Sequence, residues 1–191
     1  RYFFHNNNGF PFTFSVEGGG NGNVSIDAPN ITNPSWYYIT GTISNSGIMS
    51  LYIDGNLIGS TNCIPTQYKL DAGGDKKIGA SHDDSHKYVG LIDDLSIWNR
   101  ALNQQEIINY MNCSLTGTEA SLISYYKFDE GPGNTVVIDE ISGYNGYLIA
   151  DSTNTNAWWN SEVPYQTQSS CALTNSVGCD SIVNLNLTIN N

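Results

Sequence analysis

The sequence has little positive charge. Lys and Arg together number 7 among 191 residues, against 18 Asp and Glu, and the formal net charge at pH 7 is −11. Proteins that bind nucleic acids or anionic membranes use clusters of basic side chains to neutralise phosphates. The composition therefore argues against nucleic acid and against an anionic membrane surface as partners.

Long hydrophobic runs are also lacking. No stretch of 18 apolar residues occurs, so no membrane-spanning helix and no membrane insertion are predicted. A signal sequence is absent as well, and the first residue is Arg1 rather than Met. We interpret the chain as a fragment or a processed piece of a longer protein.

Cysteine is scarce. Cys171 and Cys179 enclose a short polar loop, which is typical of a local disulfide. Cys63 and Cys113 could form a second pair, but the sequence leaves their connectivity open. Zinc is disfavoured because no Cys-x-x-Cys pair occurs.

Asn, Gly and aromatic residues are abundant instead. The chain has 24 Asn, 19 Gly and 12% aromatic residues, which favours short strands separated by turns. The pair Asp54 and Gly55 lies between two apolar runs, 48–53 and 56–60. Because both central residues of a type I′ turn need positive φ, this pair predicts a β-hairpin.

A strand followed by a short helix is predicted over residues 88–111. The strand covers 89–98, and apolar residues at helical spacing follow it within 102–111. Asn103 is expected to cap the helix, with Glu106 completing a capping box.

From Gly90 to Ile107 this stretch closely resembles the end of a laminin-G-like or pentraxin-like domain, whose last strand reads Gly-x-Ile-Asp-Asp/Glu-Val-x-Ile-Trp/Tyr-Asn-Arg-Ala-Leu. The strand at 36–42 and the hairpin at 51–58 also resemble that family. The resemblance implies an all-β fold, a concanavalin-A-like jelly-roll sandwich of two antiparallel sheets with one short helix. The family's first strands are missing before residue 1, so the sandwich is expected to be incomplete at its N-terminus.

Segments that resemble the family's opening strands follow the helix, at 122–131 and 139–146. They could begin a second repeat, or they could lie beside the closing strand of the same sandwich. We favour the second arrangement because an unpaired closing strand would be prone to aggregation.

Three parts of the chain are predicted on this basis. Residues 1–113 are the C-terminal part of a sandwich, and 114–165 resemble its opening strands. Residues 166–191 are a linker and a β-strand of a following module. This last part resembles repeated modules of large secreted surface proteins from Bacteroidetes-type bacteria.

Glycosidase chemistry finds no support in the sequence. A retaining enzyme needs two carboxylates about 5–5.5 Å apart, and no Glu-x-Asp-x-x-Glu pattern occurs. The acidic pairs 93–94 and 139–140 are adjacent in sequence, and adjacent strand residues face opposite sides of a sheet. We therefore predict no catalytic residue and a protein that is not an enzyme.

Calcium is the cofactor that the resemblance implies. Family members often hold a structural Ca²⁺ between the closing strand and the opening loop, and the matching residues here are Asp93, Asp139 and Asn145. Carboxylate and amide oxygens are suitable ligands. The alternative is that Asp139 only caps a turn through hydrogen bonds to the backbone.

Aromatic side chains are the candidates for ligand binding. Tyr144, Trp158 and Trp159 lie in polar stretches, where an exposed ring could stack on a sugar, and Tyr147 is a further candidate. The alternative for Trp158 or Trp159 is a structural one, in which one of them seals the end of the sandwich.

The resemblance implies a non-catalytic carbohydrate-binding or adhesion module. Its expected partners are glycans or cell-surface molecules, together with other domains of a larger chain, and its expected location is extracellular or at the cell surface. A structural spacer in an adhesin is the alternative, and a domain related to glycoside hydrolases is less favoured. Since one fold hosts many functions, this inference rests on family analogy.

Overall fold

The described part of the chain consists of short β-strands and a single short helix. The computed structural model describes residues 2–6, 12–17, 23–29, 35–63, 76–80, 88, 90–112 and 114–149. The elements are β1 (Tyr2–Asn6), β2 (Phe12–Glu17), β3 (Asn23–Asp27), β4 (Ile39–Ile43), β5 (Ile48–Ile53), β6 (Asn56–Asn62), β7 (Leu95–Trp98), α1 (Gln104–Met111), β8 (Leu122–Tyr126), β9 (Val136–Val137) and β10 (Gly146–Tyr147). The predicted all-β fold with one helix is confirmed.

Two three-stranded antiparallel sheets pack on each other. One has the order β1-β2-β3 and the other β4-β5-β6. Both contribute to one apolar core, as expected when two sheets bury their inner faces. The contact is close at Gly41, where an added Cβ would lie 2.7 Å from the Phe14 ring. The buried core residues are Phe12, Phe14, Val16, Ile26, Ala28, Met49, Leu51, Ile53 and Cys63.

The hairpin predicted between β5 and β6 is confirmed. Asp54 has φ 49° and Gly55 has φ 74°, which are the positive values that a type I′ turn requires. The Asp54 carboxylate accepts a hydrogen bond from the Tyr38 backbone N–H at 2.8 Å. This contact ties the turn to the segment that leads into β4.

Helix α1 is capped as the sequence predicts. The Asn103 side chain accepts from the Glu106 N–H at 3.0 Å, and the Glu106 carboxylate accepts from the Asn103 N–H at 2.9 Å. Arg100 adds a bidentate ion pair to Glu106, with both N–O distances at 2.8 Å. The start of the helix is therefore held by both backbone and side-chain contacts.

The helix also packs on the β5–β6 turn. Gln104 Nε2 donates to the Gly55 carbonyl oxygen at 2.9 Å. A Cβ added at Gly55 would lie 2.7 Å from Ile108 Cγ1. Glycine at this position therefore serves two purposes, because it permits the positive φ and leaves room for the helix.

The closing strand is shorter than predicted. We expected a strand over 89–98, but β7 covers only Leu95–Trp98. Asp94 has φ 51°, a left-handed conformation that breaks a regular strand. The strand prediction is therefore confirmed only for Leu95–Trp98.

The opening-strand segment lies beside the closing strand. β8 pairs antiparallel with β7, with Leu95 opposite Tyr126 and Trp98 opposite Leu122. The short ribbon formed by β9 and β10 follows. A bridge between Tyr126 and Asp139 connects β8 to the turn that joins the strands of this ribbon.

Of the four cysteines, only Cys63 belongs to the described residues. Its thiol is free and buried, and burial raises its pKa. The Cys63–Cys113 pair that the sequence left open is therefore not formed in this structure. Cys113, Cys171 and Cys179 lie outside the described residues, so the Cys171–Cys179 disulfide stays a prediction.

Candidate functional site

The turn at Asp139 is the most densely hydrogen-bonded polar feature of the opening segment. Asp139 Oδ1 accepts from the backbone N–H groups of Tyr125, Ile141 and Ser142, at 3.0, 3.0 and 3.3 Å. The Ser142 hydroxyl donates to the other carboxylate oxygen, Oδ2. Asp139 is only 3% exposed. A single buried carboxylate therefore organises this turn and attaches it to β8.

The charge of Asp139 is stabilised by these donors. Burial alone would raise the pKa of Asp139, because a carboxylate loses hydration there. The hydrogen bonds from Ser142 and from the backbone of Tyr125 and Ile141 outweigh this effect and lower the pKa to about 2. Asp139 is therefore ionised at neutral pH and acts as a fixed acceptor.

Asn145 belongs to the same turn. Its Oδ1 accepts a hydrogen bond from the Asp139 backbone N–H at 3.0 Å. The structure thus brings together two of the three residues that the sequence suggested for calcium, Asp139 and Asn145. Their oxygen atoms are engaged by N–H and O–H donors, which fits the turn-capping alternative.

Two tyrosines project from this region into solvent. The Tyr144 side chain is 81% exposed and that of Tyr147 is 74% exposed. The backbone of Tyr144 is held in place, because the Tyr126 hydroxyl donates to its carbonyl oxygen at 2.8 Å. Tyr147 lies on β10, opposite Val136. The aromatic rings are therefore presented by an ordered backbone.

Asp93 lies elsewhere, on the loop that leads into β7. It is only 7% exposed, and the backbone N–H of Asp94 donates a hydrogen bond to its carboxylate. Burial, followed by the nearby charges of Asp94 and Asp129, raises the pKa of Asp93 to about 7. The charge of Asp93 is therefore disfavoured both by its burial and by two nearby carboxylates, Asp94 and Asp129.

The neighbouring Asp94 links this loop to β8. The Tyr125 hydroxyl donates to Asp94 Oδ1 at 2.6 Å. Burial and the charge of Asp94 raise the pKa of the Tyr125 phenol, so the hydroxyl keeps its proton and serves as a donor. Pattern reasoning missed this bond. The motif that marks β8 contains Tyr125, but no local signal pairs it with Asp94.

Metal binding can be examined only for the described residues. Within them, no group of three or more His, Cys, Asp or Glu side chains could hold a metal ion. A Ca²⁺ ion at Asp93 would need carbonyl oxygens or water in its coordination shell. The calcium assignment of Asp93, Asp139 and Asn145 stays a prediction.

The other aromatic candidates, Trp158 and Trp159, lie outside the described residues. No helix of the described ranges is long and apolar enough to cross a membrane.

Comparison of the sequence with known proteins identifies the family and several relatives. The model of the concanavalin A-like lectin/glucanases superfamily matches residues 1–108. Neuronal pentraxin-2 of Cavia porcellus is 26% identical over 132 residues, and the human protein is 25% identical over 131 residues. Each match covers 56% of this chain but only 31% and 30% of the relative. The chain thus spans about a third of the length of these relatives.

A solved structure shows the same fold. It is a candidate carbohydrate-binding protein from Bacteroides ovatus, with a TM-score of 0.53 and 16% sequence identity. The likeness covers 74% of this chain and 43% of that protein. At this level of identity the similarity concerns the fold alone.

Proposed function

We propose that this chain, which belongs to the concanavalin A-like lectin/glucanase superfamily, is a non-catalytic module that binds glycans. One observation carries the proposal: Tyr144 and Tyr147 are 81% and 74% exposed on a hydrogen-bonded turn. We propose a secreted or cell-surface protein as its setting, where such a module would recognise surface glycans.

The exposed rings suit a sugar ligand. An aromatic side chain offers a large apolar surface with few rotatable bonds, so little conformational entropy is lost when it binds. The C–H face of a pyranose ring is flat and apolar and can lie against such a ring. A single exposed apolar side chain is ordinary, but grouped ones mark interaction sites, so two exposed tyrosines within four residues favour a binding role.

The backbone that carries the rings is already ordered. Tyr126 fixes the carbonyl of Tyr144 at 2.8 Å, and Asp139 contacts Asn145 at 3.0 Å. A site that is ordered before binding avoids part of the entropic cost of association. The exposed side chains of Asn145 and Ser142 supply polar groups beside the rings.

The test is glycan binding by the full chain and by Tyr144→Ala, measured on a glycan array and by isothermal titration calorimetry. We expect specific glycans to bind and the substitution to weaken their affinity about tenfold or more. The matched control is Leu57→Ala, because Leu57 is 50% exposed but lies in the β5–β6 hairpin. Unchanged affinity of Tyr144→Ala, or no glycan binding by the parent chain, would contradict the proposal.

Absence of glycan binding by the parent chain would favour the structural-spacer alternative. A spacer needs no ligand, so neither exposed tyrosine would affect any binding measurement. The proposed division of the chain into 1–113, 114–165 and 166–191 would hold under either function. Limited proteolysis tests it, since cleavage concentrated near 113 and 165 is expected for these boundaries.

A structural Ca²⁺ at Asp93 is a separate proposal. It is supported by the burial of Asp93 within reach of the negative charges of Asp94 and Asp129, which a divalent cation would offset. Because the described residues offer no group of three such side chains, backbone carbonyl oxygens or water would complete the coordination shell. Excess Ca²⁺ is expected to raise the unfolding midpoint relative to EDTA. Asp93→Asn should abolish this shift, whereas an equal midpoint with Ca²⁺ and EDTA would exclude the site.

A further inference from the structure

The outward face of the β9–β10 ribbon is apolar. Val137 is 4% exposed and points inward, and Gly146 lies opposite it. Side chains alternate along a strand, so the flanking residues Val136 and Tyr147, which also face each other, project outward. Ile138 and Ile149 lie just beyond β9 and β10 and are also exposed. We call Val136, Ile138, Tyr147 and Ile149 the ribbon face.

The ribbon face is exposed to an unusual degree. Ile138 is 46% exposed, Tyr147 74% and Ile149 67%. A single exposed apolar side chain is ordinary, but several on one face indicate an interaction surface. Tyr144, which is 81% exposed, lies in the turn that joins β9 and β10.

The charge around the ribbon face is negative. Residues 114–149 contain five acidic side chains, at 119, 129, 130, 139 and 140, and one basic side chain, Lys127. Lys127 already lies 3.8 Å from Glu140. The whole chain has a net charge of −11. A sulfated or carboxylated ligand would be repelled by these carboxylates, and residues 114–149 offer it only Lys127 as a cationic partner.

We infer that the ribbon face selects an uncharged glycan and binds it along the row formed by Ile138, Tyr147 and Ile149. This inference rests on the proposed function and adds the class of ligand. An uncharged pyranose chain can cover the apolar row without bringing a negative charge near Asp129, Glu130 or Glu140. The affinity then depends on ring stacking and burial of apolar surface rather than on ion pairs.

The test is affinity gel electrophoresis of the full chain against two groups of soluble polysaccharides. The neutral group is β-glucan, xylan and mannan, and the anionic group is polygalacturonate, alginate and heparin. We expect retardation only by a neutral polysaccharide. The affinity should change by less than about twofold between 50 and 500 mM NaCl, since no ion pair is involved.

Variants locate the binding surface. Tyr147→Ala should weaken the neutral interaction about tenfold, whereas Tyr147→Phe should keep most of it because the ring is retained. Leu57→Ala, on the β5–β6 hairpin, should have no effect. Circular dichroism of each variant checks that the fold is intact.

The outcomes separate this inference from the proposed function. Binding only to anionic polysaccharides would overturn the inference and leave glycan binding in place. Binding to a neutral polysaccharide that Tyr147→Ala does not weaken would also overturn it. Binding to neither group, with no glycan bound on an array, would overturn both and leave a protein ligand for the apolar face.

Discussion

The double sheet of β1–β6 and the opening segment at 122–149 are held together by different forces. The double sheet encloses an apolar core in which Val16, Met49 and Leu51 are completely buried. The opening segment depends on polar contacts, above all those of Asp139 with the backbone around it. The first region is therefore organised around a shared apolar core, whereas the second combines its buried residues Leu122, Tyr125, Tyr126 and Val137 with directed hydrogen bonds to one carboxylate.

This difference explains where exposed aromatic rings can be placed. A close-packed core determines each side chain inside it but offers no surface to a ligand. A turn organised by one buried carboxylate can remain ordered while its other side chains face solvent. Tyr144 and Tyr147 are exposed to solvent in this way. The turn organised by Asp139 is thus the better place for a binding surface.

The largest effect is expected from a cavity in the double sheet. Leu51→Ala should lower the free energy of unfolding by about 2–5 kcal/mol, because the side chain is 0% exposed and its removal leaves a void. Urea denaturation measures this change. Leu57→Ala is the matched control and should stay within about 0.5 kcal/mol of the parent. An equal effect of both variants would contradict the packing difference.

The corresponding change in the opening segment removes the central acceptor. Asp139→Ala should cost about 2–4 kcal/mol, because four donors lose a charged partner. It should also increase amide hydrogen exchange at Ile141 and Ser142. Glu140→Ala is the control, since its contact with Lys127 is a solvent-exposed ion pair at 3.8 Å that contributes little. A stability loss in Glu140→Ala as large as in Asp139→Ala would show that the turn does not depend on the buried carboxylate.

A change in pH should alter the stability of the fold through Asp93, on the loop that leads into β7. The folded-state pKa of Asp93, about 7, lies above its ordinary value of 3.8. Its stabilising contribution is therefore complete below about pH 3.8 and is lost as the pH rises through 7. The free energy of unfolding should be about 1–3 kcal/mol larger at pH 5 than at pH 8. Asp93→Asn should remove this difference, and a persistent difference in the variant would assign it to another group.

Asp139 should have the opposite dependence. Its folded-state pKa of about 2 lies below 3.8, so its contribution is present above pH 3.8 and is lost as the pH falls through 2. The combined profile should therefore show greatest stability at moderately acidic pH.

The smallest effect is expected at the helix cap. Asn103→Ala should cost about 1 kcal/mol, because it removes the acceptor for the Glu106 N–H. Thermal unfolding would detect the change. Asn103→Asp should retain most of the stability, since Asp is a comparable N-cap residue, and a full loss in this variant would argue against capping as the cause.

Local patterns predicted much of the fold. The hairpin at Asp54 and Gly55 and the cap at Asn103 were predictable because each depends on residues within four positions of one another. The start of β7 was not predictable, because the sequence neighbours of Asp94 do not indicate its left-handed φ. The family matched at 1–108 agrees with the resemblance read from the sequence.

The candidate site was less predictable for a physical reason. Tyr144 and Asn145 could be marked by residue type, but their exposure and hydrogen bonds depend on how β8, β9 and β10 meet in space. The contact between Tyr125 and Asp94 joins residues far apart in sequence. A single sequence does not show which distant residues come into contact. The calcium residues stay predictions, and so do Trp158 and Trp159, which lie outside the described residues.

The pairing of β7 with β8 also has a consequence for synthesis of the chain on the ribosome. Because β8 follows β7 only after helix α1 and a further loop, this edge of β7 lacks its partner until residue 126 has left the exit tunnel. At typical elongation rates that delay is on the order of seconds, during which this strand edge can pair with other chains.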